Sequence, residues 1–387
     1  MEGKGSYGIV YSNPRFPYLD KYNFNNNDII FKAENIEDYY LKSEVSKIFF
    51  EKSEYKDEYL KYIHLVNYKL PDELFNIPLN YGKICKDLVI GSQIYTYQWA
   101  NDNKYDFKKI ILNSPFQITF KKGVPLNQTS DISLSKIYNK IDNLFYLIKY
   151  FNDNNFLYDD LKLGNIIEIE DKYKLIDYST LIKIEDLNKD TLSELFVNIS
   201  YYYINSPVIS QIIRYYVYGF KNLEKIIDGE CKTNKIYIND LINQFESILK
   251  DYSLEIDFFD LITKDNIKIN ILDILIEIVN YTEENNNNEI YFTELIKYLD
   301  IKYDNDIFKK LQDLSKRMNC YQLGILLLNL LVQKKKIIND YDYLIFLKIV
   351  ELLSSMILNF IVINEKVYIF EPNIDNNIEK YKFFINS

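Results

Sequence analysis

Apolar positions recur at helical intervals through much of this chain. From Ser133 to Asn152, residues Leu134, Ile137, Ile141, Leu144, Phe145 and Ile148 fall three or four apart, which predicts a buried amphipathic helix. Tyr40–Phe50 shows similar spacing at Leu41, Val45, Ile48 and Phe49, and Asp342–Phe360 carries another such stripe. Helical patterns also cover Val208–Phe220, Ile238–Leu249, Ile267–Val279 and Tyr291–Leu299, broken by the run Asn285–Asn288. Strand-like runs are shorter: Ile9–Tyr11, Asp28–Glu34, Leu88–Ile90, Gln93–Trp99 and Phe116–Phe120. Lys366–Phe370 and Lys380–Ile385 read as short terminal strands or coil. Strands therefore crowd the first third of the chain and helices the rest. Between them, Lys121-Lys122-Gly123-Val124-Pro125-Leu126 reads as a hinge.

Composition narrows the classes of function. At 387 residues the chain is long enough for two core-sized units. The net charge of −10 argues against nonspecific binding to nucleic acid or anionic lipid. Three arginines (Arg15, Arg214 and Arg317) cannot form a dense guanidinium cluster. Cys85, Cys231 and Cys320 show no C-x-x-C pair, so neither a zinc site nor a disulfide framework is expected, and a reducing cytosol fits best. The single histidine, His64, is read as a packed or surface residue of a helical stretch. The longest apolar runs, such as Leu323–Val332, are too short to span a membrane. A soluble, cytoplasmic protein is expected.

Candidate chemistry gathers in Leu157–Ile182. Asp160, Lys162 and Asn165 follow one another as D-x-K-x-x-N, and Asp177 ends the short apolar run K-L-I-D. Two carboxylates, a cation and an amide are what phosphoryl transfer needs: one carboxylate for a hydroxyl, a cation for the moving group, and an amide plus a carboxylate for Mg²⁺. Near the N-terminus, Gly3-Lys4-Gly5-Ser6-Tyr7-Gly8-Ile9-Val10 carries three of the chain's ten glycines. Glycines so placed let backbone N–H groups approach a triphosphate without Cβ collision. Only two residues precede Gly3, so the strand entering this loop is expected to be very short. Lys32 ends the strand Asp28–Glu34, and Glu44 sits on the helix expected over Tyr40–Phe50. They form the expected lysine–glutamate pair, with Glu37 and Glu51 as competing partners.

In order, G-K-G-S-Y-G-I-V, I-I-F-K, the Glu44 helix, Y-D-D-L-K-L-G-N and D-Y-S resemble the eukaryotic-type protein kinase superfamily over about 170 residues. Tyr203–Val208 is similar to the end of that family's activation segment, and Asn319–Leu331 to its buried D-x-W-S-x-G helix. The resemblance implies an α+β, bilobal protein-kinase-like fold. A small β-rich N-lobe would cover 1–120 and a large, mainly helical C-lobe 121–387, with a helical insertion at about 208–315. It also implies transfer of the γ-phosphate of MgATP to a serine or threonine hydroxyl of a protein. Asp160 would orient the hydroxyl and Lys162 would stabilise the transferring group. Asn165 and Asp177 would hold Mg²⁺, and Lys32 with Glu44, beneath the Gly3–Val10 loop, would position ATP. The low-complexity style is similar to that of kinases of large cytoplasmic DNA viruses, which would place the protein in the host cytoplasm or the virion.

Departures from the family pattern shape the regulation implied. Asp159 stands where the family has the arginine that binds an activation-segment phosphate, and Val208 replaces the closing glutamate. A carboxylate repels phosphate, so activity independent of activation-loop phosphorylation is expected. Ser179 replaces the glycine after Asp177-Tyr178, which makes that turn less free to flip. The same departures support a pseudokinase scaffold as the alternative. An aminoglycoside-phosphotransferase-like enzyme shares the aspartates, but Lys162 and the glycine loop favour the protein-directed family. Roughly 110 residues between Pro207 and Asn319 exceed the family's usual connection, and this insertion is either a lineage-specific elaboration or a partner-docking subdomain.

Overall fold

The computed structural model describes residues 3–4, 8–12, 18–23, 29–31, 43–49, 51–84, 116–128, 134–158, 160–178, 181–186, 243–244, 246–247, 250, 261–262, 268–269, 287–333, 340–357, 360–363 and 366–386. Helices and small antiparallel sheets make it an α+β protein. The chain divides into two compact units, Met1–Val124 with Ile167–Ser179, and Pro125–Ile166 with Thr180–Ser387.

The first unit is built on one antiparallel sheet. Its strands are β1 (Gly3–Lys4), β2 (Gly8–Ser12), β3 (Tyr18–Asn23), β4 (Ile29–Phe31), β5 (Glu44–Phe49), β6 (Asn80–Ile84) and β7 (Phe116–Lys121). Their spatial order is β1-β2-β5-β7-β6-β3-β4. The glycine-rich stretch is thus a hairpin, with Gly3 opposite Val10 and Lys4 opposite Ile9, and its entering strand is two residues long.

The helix expected over Tyr40–Phe50 is not formed; residues 44–49 are strand β5. The segment lies between β2 and β7 and pairs with both, so ladder hydrogen bonds on two sides outweigh a short helical stripe. Val45, Lys47 and Phe49 then share one face, because side chains alternate along a strand.

Helix α1 (Lys52–Val66) follows at once, with the Glu51 N–H donating to Glu54 Oε2 at 2.9 Å across its first turn. It buries Tyr55, Glu58, Tyr62 and Leu65, one stripe at spacings of three, four and three. That stripe packs on the sheet through Tyr55 stacked on Phe116 at 4.6 Å and Tyr62 edge-on to Phe120 at 5.7 Å. The unit ends near β8 (Val124–Pro125) and takes back a hairpin, β10 (Ile166–Ile169) and β11 (Lys172–Leu175). Glu170 and Asp171 both have positive φ, 52° and 61°, as a tight two-residue hairpin turn requires. Gly123 is needed beside it, since a Cβ there would lie 2.7 Å from the Glu168 carbonyl oxygen.

The second unit is mainly helical. The stripe over Ser133–Asn152 folds as two helices, α2 (Leu134–Tyr138) and α3 (Asp142–Asp153), separated by a turn. β9 (Phe156–Leu157) pairs with β12 (Ile182–Lys183). Within Ile267–Val279, which carries a helical pattern, the described residues form β14 (Lys268–Ile269), paired with β13 (Leu261–Ile262). α4 (Asn287–Tyr303) begins inside the asparagine run and covers Tyr291–Leu299. α5 (Ile307–Gln333) is the core of the unit, buried on nearly every side. α6 (Asp340–Ile357) packs against it, followed by the hairpin β15 (Phe360–Ile363) and β16 (Lys366–Ile369). Lys380–Ile385 is not strand or coil but part of α7 (Ile374–Asn386), whose Tyr381 hydroxyl donates to the Tyr138 carbonyl at 2.6 Å. The patterns Val208–Phe220 and most of Ile238–Leu249, and the strands Leu88–Ile90 and Gln93–Trp99, lie outside the described residues. No helix among the described residues is long and apolar enough to cross a membrane.

Candidate active site

In the second unit a short loop brings three of the expected residues together. Asp160, Lys162 and Asn165 follow β9, and Asn165 closes a single 3₁₀ turn over Leu163–Asn165. Lys162 Nζ lies 2.8 and 2.9 Å from the two carboxylate oxygens of Asp160. Asn165 Nδ2 donates to the Asp160 carbonyl and to its Oδ2, each at 2.9 Å. Tyr158, 1% exposed, donates its hydroxyl to the same carbonyl at 3.1 Å. The carboxylate of Asp160 therefore has one fixed geometry, with a cation and an amide on it. Asn165 spends its amide nitrogen inward, which leaves Oδ1 as its acceptor. Asp159 lies outside the described residues.

The first unit carries a second cluster. Lys47, on the α1-facing side of β5, places Nζ 2.6 Å from Glu58 Oε1, and their side chains are 17% and 10% exposed. Burial works against the Lys47 cation, but Glu58 and then Asp177 hold its pKa above the ordinary lysine value. Burial lifts the Glu58 carboxyl above its usual range while Lys47 pulls it back. Asp177 is a further, smaller cause that raises the Glu58 carboxyl, as a like charge nearby. Asp177 itself has φ 54°, a left-handed turn that aspartate tolerates better than most side chains. Tyr178 follows with its ring edge-on to Tyr62 at 5.6 Å and to Phe75 at 5.1 Å, and its hydroxyl donates to the Asn76 carbonyl at 3.1 Å.

Of the expected Lys32–Glu44 pair, only Glu44 falls among the described residues, and its expected helical setting is not formed. Glu44 is a strand residue opposite Lys121, not a helix residue, and Lys32 lies outside the described residues. Among the described residues, Lys47–Glu58 is an ion pair of this unit that joins a strand lysine to a helix glutamate. Two signals in the chain point to it: a glutamate inside the aromatic stripe Tyr55–Tyr62, and a cation within the β-prone run Val45–Phe50 just before a capping sequence. Of the glycine loop, Gly3 and Lys4 lie on β1 and Gly8 and Val10 on β2, whereas Gly5, Ser6 and Tyr7 lie outside the described residues. His64 makes a 2.8 Å hydrogen bond with the Tyr68 hydroxyl on the exposed side of α1 and has no place in either cluster.

Taken separately, Asn165 in the second unit has an amide oxygen and Asp177 in the first a carboxylate, both donor types that suit a hard divalent cation. Among the described residues no three acidic, histidine or cysteine side chains gather as a closed metal cage. Proteins in general often bind Mg²⁺ through one or two protein oxygens plus substrate phosphates rather than in a closed cage. Comparisons with family models, with curated proteins and with solved structures return no match.

Proposed function

We propose that this chain is an ATP- and Mg²⁺-dependent protein kinase of the serine/threonine type, with the bilobal organisation of that family. The observation that carries the reading is the buried Lys47–Glu58 ion pair in a unit that also holds the glycine hairpin and Asp177. Protein kinases use such a strand-lysine and helix-glutamate pair to set the nucleotide phosphates. Neither residue belongs to the glycine-loop, D-x-K-x-x-N or D-Y-S motifs, so the pair supports the reading independently of them.

In this reading Glu58 holds Lys47 extended, and Lys47 binds the α- and β-phosphates. Asn165 Oδ1 and the Asp177 carboxylate would hold Mg²⁺, whose chemistry would be to neutralise charge on the phosphates. Asp160 accepts a hydrogen bond from the substrate hydroxyl and takes its proton, and Lys162, already on Asp160, balances the charge that develops on the phosphoryl oxygens. Asp159 and Val208 favour activity without activation-loop phosphorylation. The 208–315 insertion would be either a lineage-specific elaboration of the helical unit or a subdomain that docks a protein partner.

The test is transfer of label from γ-labelled MgATP to a mixed protein substrate by wild type, Asp160→Asn and Asp177→Asn. Transfer by wild type alone is expected. No transfer by wild type, or equal transfer by all three, would sink the enzyme reading. Nucleotide binding without transfer would favour the pseudokinase scaffold.

A further inference from the structure

Helix α5 is apolar around most of its circumference, yet Ser315, Asn319 and Gln322 stand on it at spacings of four and three, each no more than 2% exposed. That spacing puts the three on one stripe. All of them reach one strip of backbone or its immediate neighbour. Ser315 Oγ donates to the Phe156 carbonyl at 2.7 Å, and Asn319 Nδ2 donates to that carbonyl at 3.3 Å and to Asn152 Oδ1 at 3.0 Å. Gln322 goes further along the chain and makes two bonds. Its Nε2 donates to the Tyr158 carbonyl at 3.1 Å, and its Oε1 accepts from the Leu161 N–H at 3.3 Å.

Gln322 therefore holds the backbone on both sides of Asp160. From within the loop, the Tyr158 hydroxyl and Asn165 Nδ2 hold the Asp160 carbonyl. The Tyr158 carbonyl and the peptide unit that follows Asp160 are thus tied to the most buried helix of the unit by a side chain with no charge to titrate. We infer that Gln322 is a positioning residue for Asp160, setting the direction of its carboxylate toward the hydroxyl to be phosphorylated. The inference rests on the kinase reading.

A buried amide is hydrogen-bonded in most proteins, so satisfaction alone would make Gln322 an ordinary core residue. Ser315 provides the comparison. It satisfies a backbone carbonyl from the same stripe, but at Phe156, four residues before Asp160. A positioning role predicts a kinetic effect at Gln322 that Ser315 does not share. Misplacing a reacting group by about 1 Å costs on the order of 100-fold in rate.

The experiment compares full-length wild type, Gln322→Met and Ser315→Ala by three measurements: thermal unfolding, steady-state kinetics in MgATP, and hydrogen–deuterium exchange over residues 156–163. The expected result is a fall in kcat of about 30-fold or more for Gln322→Met with KM for ATP within about threefold of wild type. Faster exchange at 158–161 should accompany it, while Ser315→Ala keeps kcat within about threefold. Gln322→Asn, one methylene too short for both bonds, replaces the methionine variant if that one does not fold, with the same expectation. A kcat for either Gln322 variant that tracks Ser315→Ala, or unchanged exchange at 158–161, overturns the inference. If wild type transfers no phosphate, the kinase reading fails, and exchange alone then decides whether Gln322 holds this loop.

Discussion

Lys47 Nζ and Glu58 Oε1 meet at 2.6 Å, joining a central strand of the sheet to the buried stripe of α1. Removing either partner leaves the other charge in a poorly solvated place, at a cost of about 3 kcal/mol. Lys47→Met is therefore expected to lower the melting temperature and to reduce phosphoryl transfer about 100-fold or more. Lys32→Met and Glu44→Ala are expected to transfer phosphate at near wild-type rates. Parallel kinetics and thermal melts of the variants check this, and a larger loss for Lys32→Met than for Lys47→Met would return the nucleotide lysine to residue 32.

The same pair sets an acid limit. Burial raises the Glu58 carboxyl above its ordinary range, so the ion pair fails at a pH above that at which an exposed glutamate protonates. As pH falls through the raised value, Glu58 becomes neutral and Lys47 loses its partner. Nucleotide affinity measured by calorimetry is expected to weaken over that interval. Glu58→Gln, which cannot titrate, should show a flat profile at low affinity. An acid limb of unchanged position in Glu58→Gln would assign it to another group.

Tyr178 ties the turn at Asp177 to the sheet through its hydroxyl on the Asn76 carbonyl, and Asn76 is tied in turn to Leu175 by its N–H at 2.9 Å. Tyr178→Phe keeps the ring between Tyr62 and Phe75 but strands a buried carbonyl, a loss of about 1–2 kcal/mol. The fold is expected to persist while hydrogen exchange over 175–178 accelerates. Unchanged exchange would show that the ring alone holds the turn.

The two clusters differ in how legible they are from sequence. Asp160, Lys162 and Asn165 lie within six residues, so their spacing nearly dictates that they meet, and the chain alone brings them to attention. Lys47 and Glu58 are eleven apart and meet only because β5 and α1 pack together. Val45, Ile48 and Phe49 fit a helical stripe as readily as a strand, and only the partners β2 and β7 decide between them. Lys380–Ile385 shows the same limit, since Tyr381 commits α7 to α2 and α3 through contacts with Tyr138 and Phe145 that local sequence does not reveal. Apolar stripes at Leu134–Ile148 and Ile345–Ile357 are readable because burial and periodicity there agree.

Cys320 on α5 is fully buried, with Asn152 Nδ2 on its sulfur at 3.8 Å, and burial pushes its thiol up to about 12 from an ordinary 9.0. The thiolate is the reactive form, so Cys320 is expected to resist iodoacetamide in the native protein at pH 8 and to react after unfolding. Its contribution to stability is fully present below the unfolded pKa of about 9 and is lost as pH rises toward about 12, because only the unfolded chain ionises easily there. Mass mapping of the alkylated site reads the first expectation. Rapid native labelling at Cys320 would show that α5 opens locally.

Gly324 lies two residues beyond Gln322, where α5 and α6 come close. A Cβ at this position would fall 2.6 Å from Ile357 Cγ1, 3.1 Å from the Ile357 nitrogen and 3.2 Å from the Leu353 carbonyl oxygen. Alanine favours a helix interior by about 1 kcal/mol over glycine, so on propensity alone Gly324→Ala would stabilise. Ile357 can turn its side chain away, but the two backbone atoms cannot, and overpacking of this kind costs about 1–3 kcal/mol. The expected balance is a lower melting temperature. α5 would yield at the point of contact, and Gln322 would move relative to Tyr158 and Leu161. Gly324→Ala should therefore lower kcat by more than its loss of stability explains, with KM for ATP little changed. A variant that melts later than wild type and turns over normally would show that α6 gives way instead, leaving the loop around Asp160 undisturbed.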